Sequence, residues 1–97
     1  MLVEVGLHLA TVGKLAATAR VADFLCVLHQ ALEVRGEPAL SVNLPMSRTD
    51  IGDYLGMRLE TVSRALTSLR RQRLIEAYSD TVVIVDLAGL KLAASRV

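Results

Sequence analysis

The sequence predicts a mainly α fold with a small β-hairpin, a winged helix-turn-helix, and three observations carry that prediction. Two helical stretches, one starting at Ser47 and one running from Leu59 to about Gln72, meet at a short turn on Gly56, which is helix-turn-helix spacing. Leu74 to Tyr78 and Thr81 to Val85 are rich in strand-forming residues and flank Ser79-Asp80. That is a hairpin pattern, although Ser-Asp is a weaker turn signal than Asn-Gly. A longer amphipathic stretch precedes both.

The first third divides in two. Residues 2–14 are apolar with few charges, and Gly6 and Gly13 each weaken any long helix there. This stretch reads either as a core element or as an exposed remnant of a dimerisation helix, and the second is preferred. In Ala16 to Leu32, the apolar residues Val21, Phe24, Leu25, Leu28 and Leu32 recur at helical spacing, and Cys26 and Val27 widen the arc. Gly36 and Pro38 should end this helix.

Ser41-Val42-Asn43-Leu44 alternates up to Pro45 and reads as a short strand. Ser47 can cap the next helix, with Asp50 in the capping-box position. Ile51, Tyr54 and Leu55 supply its apolar side, and Gly56 permits a left-handed end. A Cβ-free Gly52 would let the second helix cross closely. Asp86 can cap a final helix from Leu87 to Ala94.

At 97 residues the chain suits one small domain. Its composition, 53% hydrophobic and 22% charged, belongs to a folding sequence rather than a disordered one. With 3% aromatics the core must be aliphatic. Mean hydropathy of +0.45 is high for such a domain and suggests apolar surface for a partner. Charges at Glu4, Lys14, Arg20 and Asp23 interrupt the first third, so no membrane span is expected. The N-terminus lacks signal-peptide patterning, and the cytoplasm is the expected compartment. A single cysteine, Cys26, allows no internal disulfide and no cysteine-built metal site. It reads as a small buried residue rather than a redox thiol.

The net charge of +1 conceals a local excess. Arg58, Arg64, Arg70, Arg71 and Arg73 fall within sixteen residues against one acid, Glu60. That suits either a phosphate-facing patch or a solvated helix face. Glu60, Ser63 and Arg64 stand at i, i+3 and i+4 and share a face, opposite Leu59, Val62, Leu66 and Leu69. Arg can donate twice to guanine O6 and N7, and Glu can accept from the cytosine amino group. Glu60 and Arg64 also suit a surface ion pair, which would itself orient Arg64. Thr61 lies in the first turn, where its hydroxyl and nearby amides can hold a phosphate. His8 and His29 lie on different segments without an evident carboxylate pattern, and Asp50 with Asp53 lacks a partner nucleophile. No catalytic residue, metal site or cofactor is expected, and the chain does not read as an enzyme.

The stretch from Leu44 to Gly56, continued through Glu60-Thr61-Val62-Ser63-Arg64, resembles the DNA-binding domain of the Crp/Fnr transcription regulators. The pattern Glu60-x-x-Ser63-Arg64 resembles the Fnr/FixK branch. The resemblance implies a bacterial regulator that binds double-stranded DNA, with residues 59–72 in the major groove of a TTGA-type half-site. It implies base contacts from Glu60, Ser63 and Arg64, and phosphate contacts from Arg48, Thr49 and Thr61. Arg58 and Arg71 are added as phosphate contacts because of their charge. Residues 1–16 would be dimerisation helix or linker, with residues 17–97 forming the winged domain. A homodimer through residues 1–14 and contact with RNA polymerase are the further partners implied.

Three departures stand out. There is no β-roll sequence for a cyclic nucleotide and no cysteine cluster, so sensing by the family's usual means is not expected. Arg58 occupies the helix-capping position where Ser or Thr is usual, and a cation there opposes the helix dipole. Asp80 at the hairpin tip would be repelled by phosphate, so the wing is not expected to add affinity. A winged helix that binds an acidic protein partner is the alternative; it would have no need for the Glu-Ser-Arg trio.

Overall fold

The computed structural model describes residues 2–34, 36, 41–43, 47–78 and 81–95, with side-chain surroundings for all of these except 2–15 and 41–43. Its elements follow in the order α1 (Leu2–Val34), β1 (Ser41–Asn43), α2 (Arg48–Leu55), α3 (Leu59–Arg71), β2 (Ile75–Ala77), β3 (Thr81–Ile84) and α4 (Leu87–Ala94).

The first helix extends beyond Ala16 to Leu32, the stretch in which helical spacing was clearest. It runs unbroken for 33 residues through Gly6 and Gly13. Each interior glycine costs only about 0.5–1 kcal/mol, and a helix already nucleated gains one hydrogen bond for each residue added. At ~1.5 Å per residue α1 is about 50 Å long, which accounts for the 52 Å long axis of the molecule. The side-chain contacts of the homodimer expected through residues 1–14, and the side-chain surroundings of His8, lie outside what the structure describes. The helix ends at Val34, and Gly36 follows in the left-handed region (φ 76°) with its N–H donated to the Glu33 carbonyl.

The C-terminal half of α1 packs against α3 and α4. The core joins Val21, Ala22 and Leu25 of α1 to Ile51, Val62, Ala65, Leu66 and Leu69 of the helix pair. Leu74, Ile75, Val82 and Ile84 of the hairpin region close it, with Leu90 and Ala93 of α4. Phe24, Leu28, Leu32 and Cys26 lie partly buried against it. Val27, expected on the same arc, is exposed. Among the described residues no helix is long and apolar enough to cross a membrane.

The wing contains more than the expected hairpin. β2 and β3 pair antiparallel in the register Ile75↔Ile84, Glu76↔Val83 and Ala77↔Val82. The predicted strand before Pro45 joins them: β1 pairs antiparallel with β3, Ser41↔Val83 through Asn43↔Thr81, giving a three-stranded sheet in the order β1-β3-β2. The sheet thus ties the segment entering the helix pair to the segment leaving it. α4 begins at the predicted Asp86 cap, whose Oδ1 accepts from the Gly89 N–H at 2.9 Å.

Candidate nucleic-acid interface

The turn between α2 and α3 is built by two glycines with different tasks. Ser47 Oγ accepts from the Asp50 N–H at 3.1 Å and starts α2. At the other end Gly56 is left-handed (φ 70°, ψ 35°), its N–H directed to Asp53 O and the Met57 N–H to Gly52 O at 2.6 Å. This paired closure satisfies the last carbonyls of α2 and reverses the chain. Gly52 has an ordinary helical conformation, but a Cβ there would collide with the Met57 carbonyl oxygen and touch Val62 Cγ2 at 3.5 Å. The expected closeness of the two helices is therefore set first by the backbone of the turn.

α3 begins at Arg58, whose extended backbone (φ −73°, ψ 156°) occupies the capping position with no side-chain cap hydrogen bond. Val62, Ala65, Leu66 and Leu69 are buried and lock one side of α3 into the core. The other side presents Glu60 and Arg64, both exposed, with Ser63 half-buried beside them. Among the described residues Glu60 and Arg64 form no ion pair with each other or with any neighbour, so the intrahelical pair does not form. Thr49, Arg58 and Arg71 are exposed, and Thr61 is half-buried in the first turn. Arg58, Arg64, Arg70, Arg71 and Arg73 have no acidic partner among the described residues. The result is a helix with a fixed inner side and an unneutralised outer one.

Three side chains depart from the periodic reading. Leu59, grouped with the core face, is the first residue of α3 and is 46% exposed. Tyr54, expected on the apolar side of α2, is 71% exposed. It covers Phe24, with ring centroids 5.8 Å apart, and the Arg20 guanidinium donates to the Leu55 carbonyl close by at 2.5 Å. Thr67, unremarked in the sequence, is half-buried on the face of Ser63 and Arg64, four and three residues on. The helical spacing was legible for Thr67, whereas the same spacing placed Leu59 on the core face.

Arg48 is placed differently from the other expected phosphate contacts. It is the first residue of α2 and is half-buried, and its Nη2 donates to the Tyr78 carbonyl at 3.1 Å, across thirty residues of sequence. The Tyr78 N–H donates to the Thr81 carbonyl at 2.8 Å and closes the hairpin. Asp80, expected to be repelled by phosphate, lies outside the described residues. α3 stops at Arg71 with Gln72 as cap, at the end expected from the sequence. Arg73 then adopts a left-handed conformation (φ 59°) with its N–H on Arg70 O, and Leu74 N–H reaches Leu69 O.

The remaining titratable groups stand apart from this surface. His29, read as lacking a carboxylate, is buried, with Nε2 at 3.5 Å from the Glu33 carboxylate one turn later. Burial pushes the Cys26 thiol upward, Asp23 adds to the effect and Lys91 opposes it. Asp50 and Asp53 are exposed on α2. Among the described residues no cluster of three or more His, Cys, Asp or Glu side chains gathers.

Comparison with known proteins agrees with this geometry. Residues 19–93 match the family model described as a Crp-like helix-turn-helix domain. The transcriptional activator protein FnrA of Stutzerimonas stutzeri is 44% identical over 77 residues, 79% of this chain and 32% of its own length. The nitrogen fixation regulation protein FixK of Bradyrhizobium diazoefficiens is 36% identical over 88 residues, 91% of this chain and 37% of its own. The solved structure of FixK2 from Bradyrhizobium japonicum superposes with a TM-score of 0.71 at 39% identity, covering 84% of this chain and 39% of that one. The chain therefore spans about a third of the length of the curated relatives it matches.

Proposed function

This chain belongs to the Crp-like helix-turn-helix family, and from that premise we propose that it is the DNA-binding domain of a bacterial transcription regulator, reading a TTGA-type half-site with α3 in the major groove. One observation carries the reading: Glu60, Ser63 and Arg64 share the outer side of a helix whose inner side is locked into the core, and among the described residues neither charge is neutralised. Unpaired donors and acceptors on a fixed helix are what base-edge recognition requires.

In this reading Arg64 donates to guanine O6 and N7, Glu60 accepts from a cytosine amino group, and Ser63 completes the trio. Leu59, exposed beside Glu60, suits the methyl group of thymine, for which an apolar side chain is the matching contact. Arg48, Thr49, Arg58, Thr61 and Arg71 face phosphates and set register. In this reading residues 17–97 are the reading head and residues 1–16 a remnant of a dimerisation helix or a linker. A dimer would place two heads about one helical turn of DNA apart, ~34 Å. RNA polymerase is the further partner and the cytoplasm the compartment.

The test is a salt-titrated binding assay on a TTGA-type palindrome and a scrambled control. Arg64→Ala should cost about 1–3 kcal/mol on the specific site and little on the control, because a bidentate guanine contact discriminates between bases and phosphate contacts do not. Equal losses on both would remove Arg64 from base reading.

A further inference from the structure

We propose that the wing acts through Arg48: the Tyr78 carbonyl holds the Arg48 guanidinium at the start of α2, so the hairpin serves DNA binding by positioning this cation rather than by touching DNA itself. The inference rests on the DNA-binding reading above and assigns the wing a part in it.

The position of Arg48 is not one that α2 itself favours. A cation in the first turn opposes the helix dipole, and a long flexible side chain gives up rotamer freedom before it can hold a phosphate. The structure meets that second cost in advance. Nη2 is held by the Tyr78 carbonyl at 3.1 Å, and Nε is covered by protein and has no acceptor among the described residues. The guanidinium is a rigid planar fork with five donors. Fixing one terminal nitrogen orients the plane and leaves the donors on the other for an anion. No acid among the described residues neutralises the charge.

The anchor is main chain, and this explains why the wing need not be basic. Tyr78 contributes its carbonyl to Arg48 and its N–H to Thr81, while its side chain is 61% exposed. Its position depends on the hairpin closure and on β3, which β1 and β2 flank on both sides. The wing's side chains can therefore vary while its backbone still holds the cation. Arg48 is in this sense a positioned phosphate ligand, and Tyr78 a positioning residue.

A double-mutant cycle on DNA affinity tests this. Arg48→Met removes the cation and keeps most of the stem, and Tyr78→Pro removes the donor that closes the hairpin. Each alone should weaken binding to the palindrome by about ten-fold, the scale of one hydrogen bond to a charged group. Combined, they should lose little more than Arg48→Met alone, since the wing acts through the side chain already removed. Additive losses would mean that the wing contacts DNA independently, and an unaltered Tyr78→Pro affinity would mean that it plays no part; either overturns the inference. Should Tyr78→Pro fail to fold, Arg48→Lys decides. It keeps the charge but lacks the fork, so the salt slope should stay as in the wild type while affinity falls about ten-fold. Wild-type affinity in Arg48→Lys would overturn the inference. A wild-type domain with no preference for the palindrome would instead remove the DNA-binding reading on which the inference stands.

Discussion

The two helices of the helix-turn-helix are stabilised in opposite ways. α2 has only eight residues and buries two, Ile51 and Gly52, but both ends carry the residues a helix terminus favours, Ser47 and Gly56. α3 is longer and buries Val62, Ala65, Leu66 and Leu69, yet starts at uncapped Arg58 and ends before left-handed Arg73. The turn-forming helix is thus defined by its ends and the reading helix by its buried side. A helix held along its length by packing can devote its first turn to a partner. Arg58 and Arg73 are each poor for the local backbone, and each adds a positive charge at an end of the exposed surface.

That contrast can be broken most directly at the core. Leu69 is fully buried on the inner side of α3. Leu69→Ala should cost about 2–5 kcal/mol, the range for emptying a leucine site in a packed core. Chemical denaturation measures it, and a loss under 1 kcal/mol would show that α3 does not depend on its buried side.

A pair of substitutions at the two helix starts sharpens the comparison. Ser47→Ala should destabilise by about 0.5–2 kcal/mol, because the Asp50 N–H loses its acceptor. Arg58→Ser should stabilise by a similar amount, about 0.5–2 kcal/mol, by supplying a cap and removing a cation from the positive end of α3. Thermal melting of both variants reads the two signs. An unchanged or lower midpoint for Arg58→Ser would mean that Arg58 is held by something other than the capping geometry.

The smallest effect is expected at the end of α3. A left-handed residue with a Cβ costs about 1–2 kcal/mol, and glycine returns about 0.4–1 kcal/mol of that by loosening the unfolded chain. Arg73→Gly should therefore stabilise by about 0.5–1 kcal/mol in the same melting experiment. A destabilised variant would show that the Arg73 side chain makes a contact that outweighs its backbone strain.

The contrast between α2 and α3 also marks how far the sequence could be read. Both signals of α2 are local: a hydroxyl three residues before an amide, and a glycine where the chain turns left-handed. Asp86 before α4 belongs to the same kind. The buried side of α3 was legible from helical spacing alone, and with it the outer face of Glu60, Ser63 and Arg64. The left-handed Arg73 was not, because arginine has no preference for that conformation; the hydrogen bonds of Arg73 and Leu74 back into α3 close the turn, and Leu74 is buried there.

What the sequence determined by itself is therefore what acts over a few residues: the winged helix-turn-helix order, the caps of α2 and α4, the glycine turn and the division of α3 into two sides. Tertiary structure decided the rest. The pairing of β1 with β3 joins segments about forty residues apart, and the hold of Tyr78 on Arg48 spans thirty. Leu59 and Tyr54 were assigned to the interior by their spacing, but both are exposed, Tyr54 with its ring lying over Phe24 of α1. Local propensity and periodicity state which side chains are able to be buried. Whether a neighbour arrives to cover them, or to accept a hydrogen bond from them, is fixed only when distant parts of the chain meet.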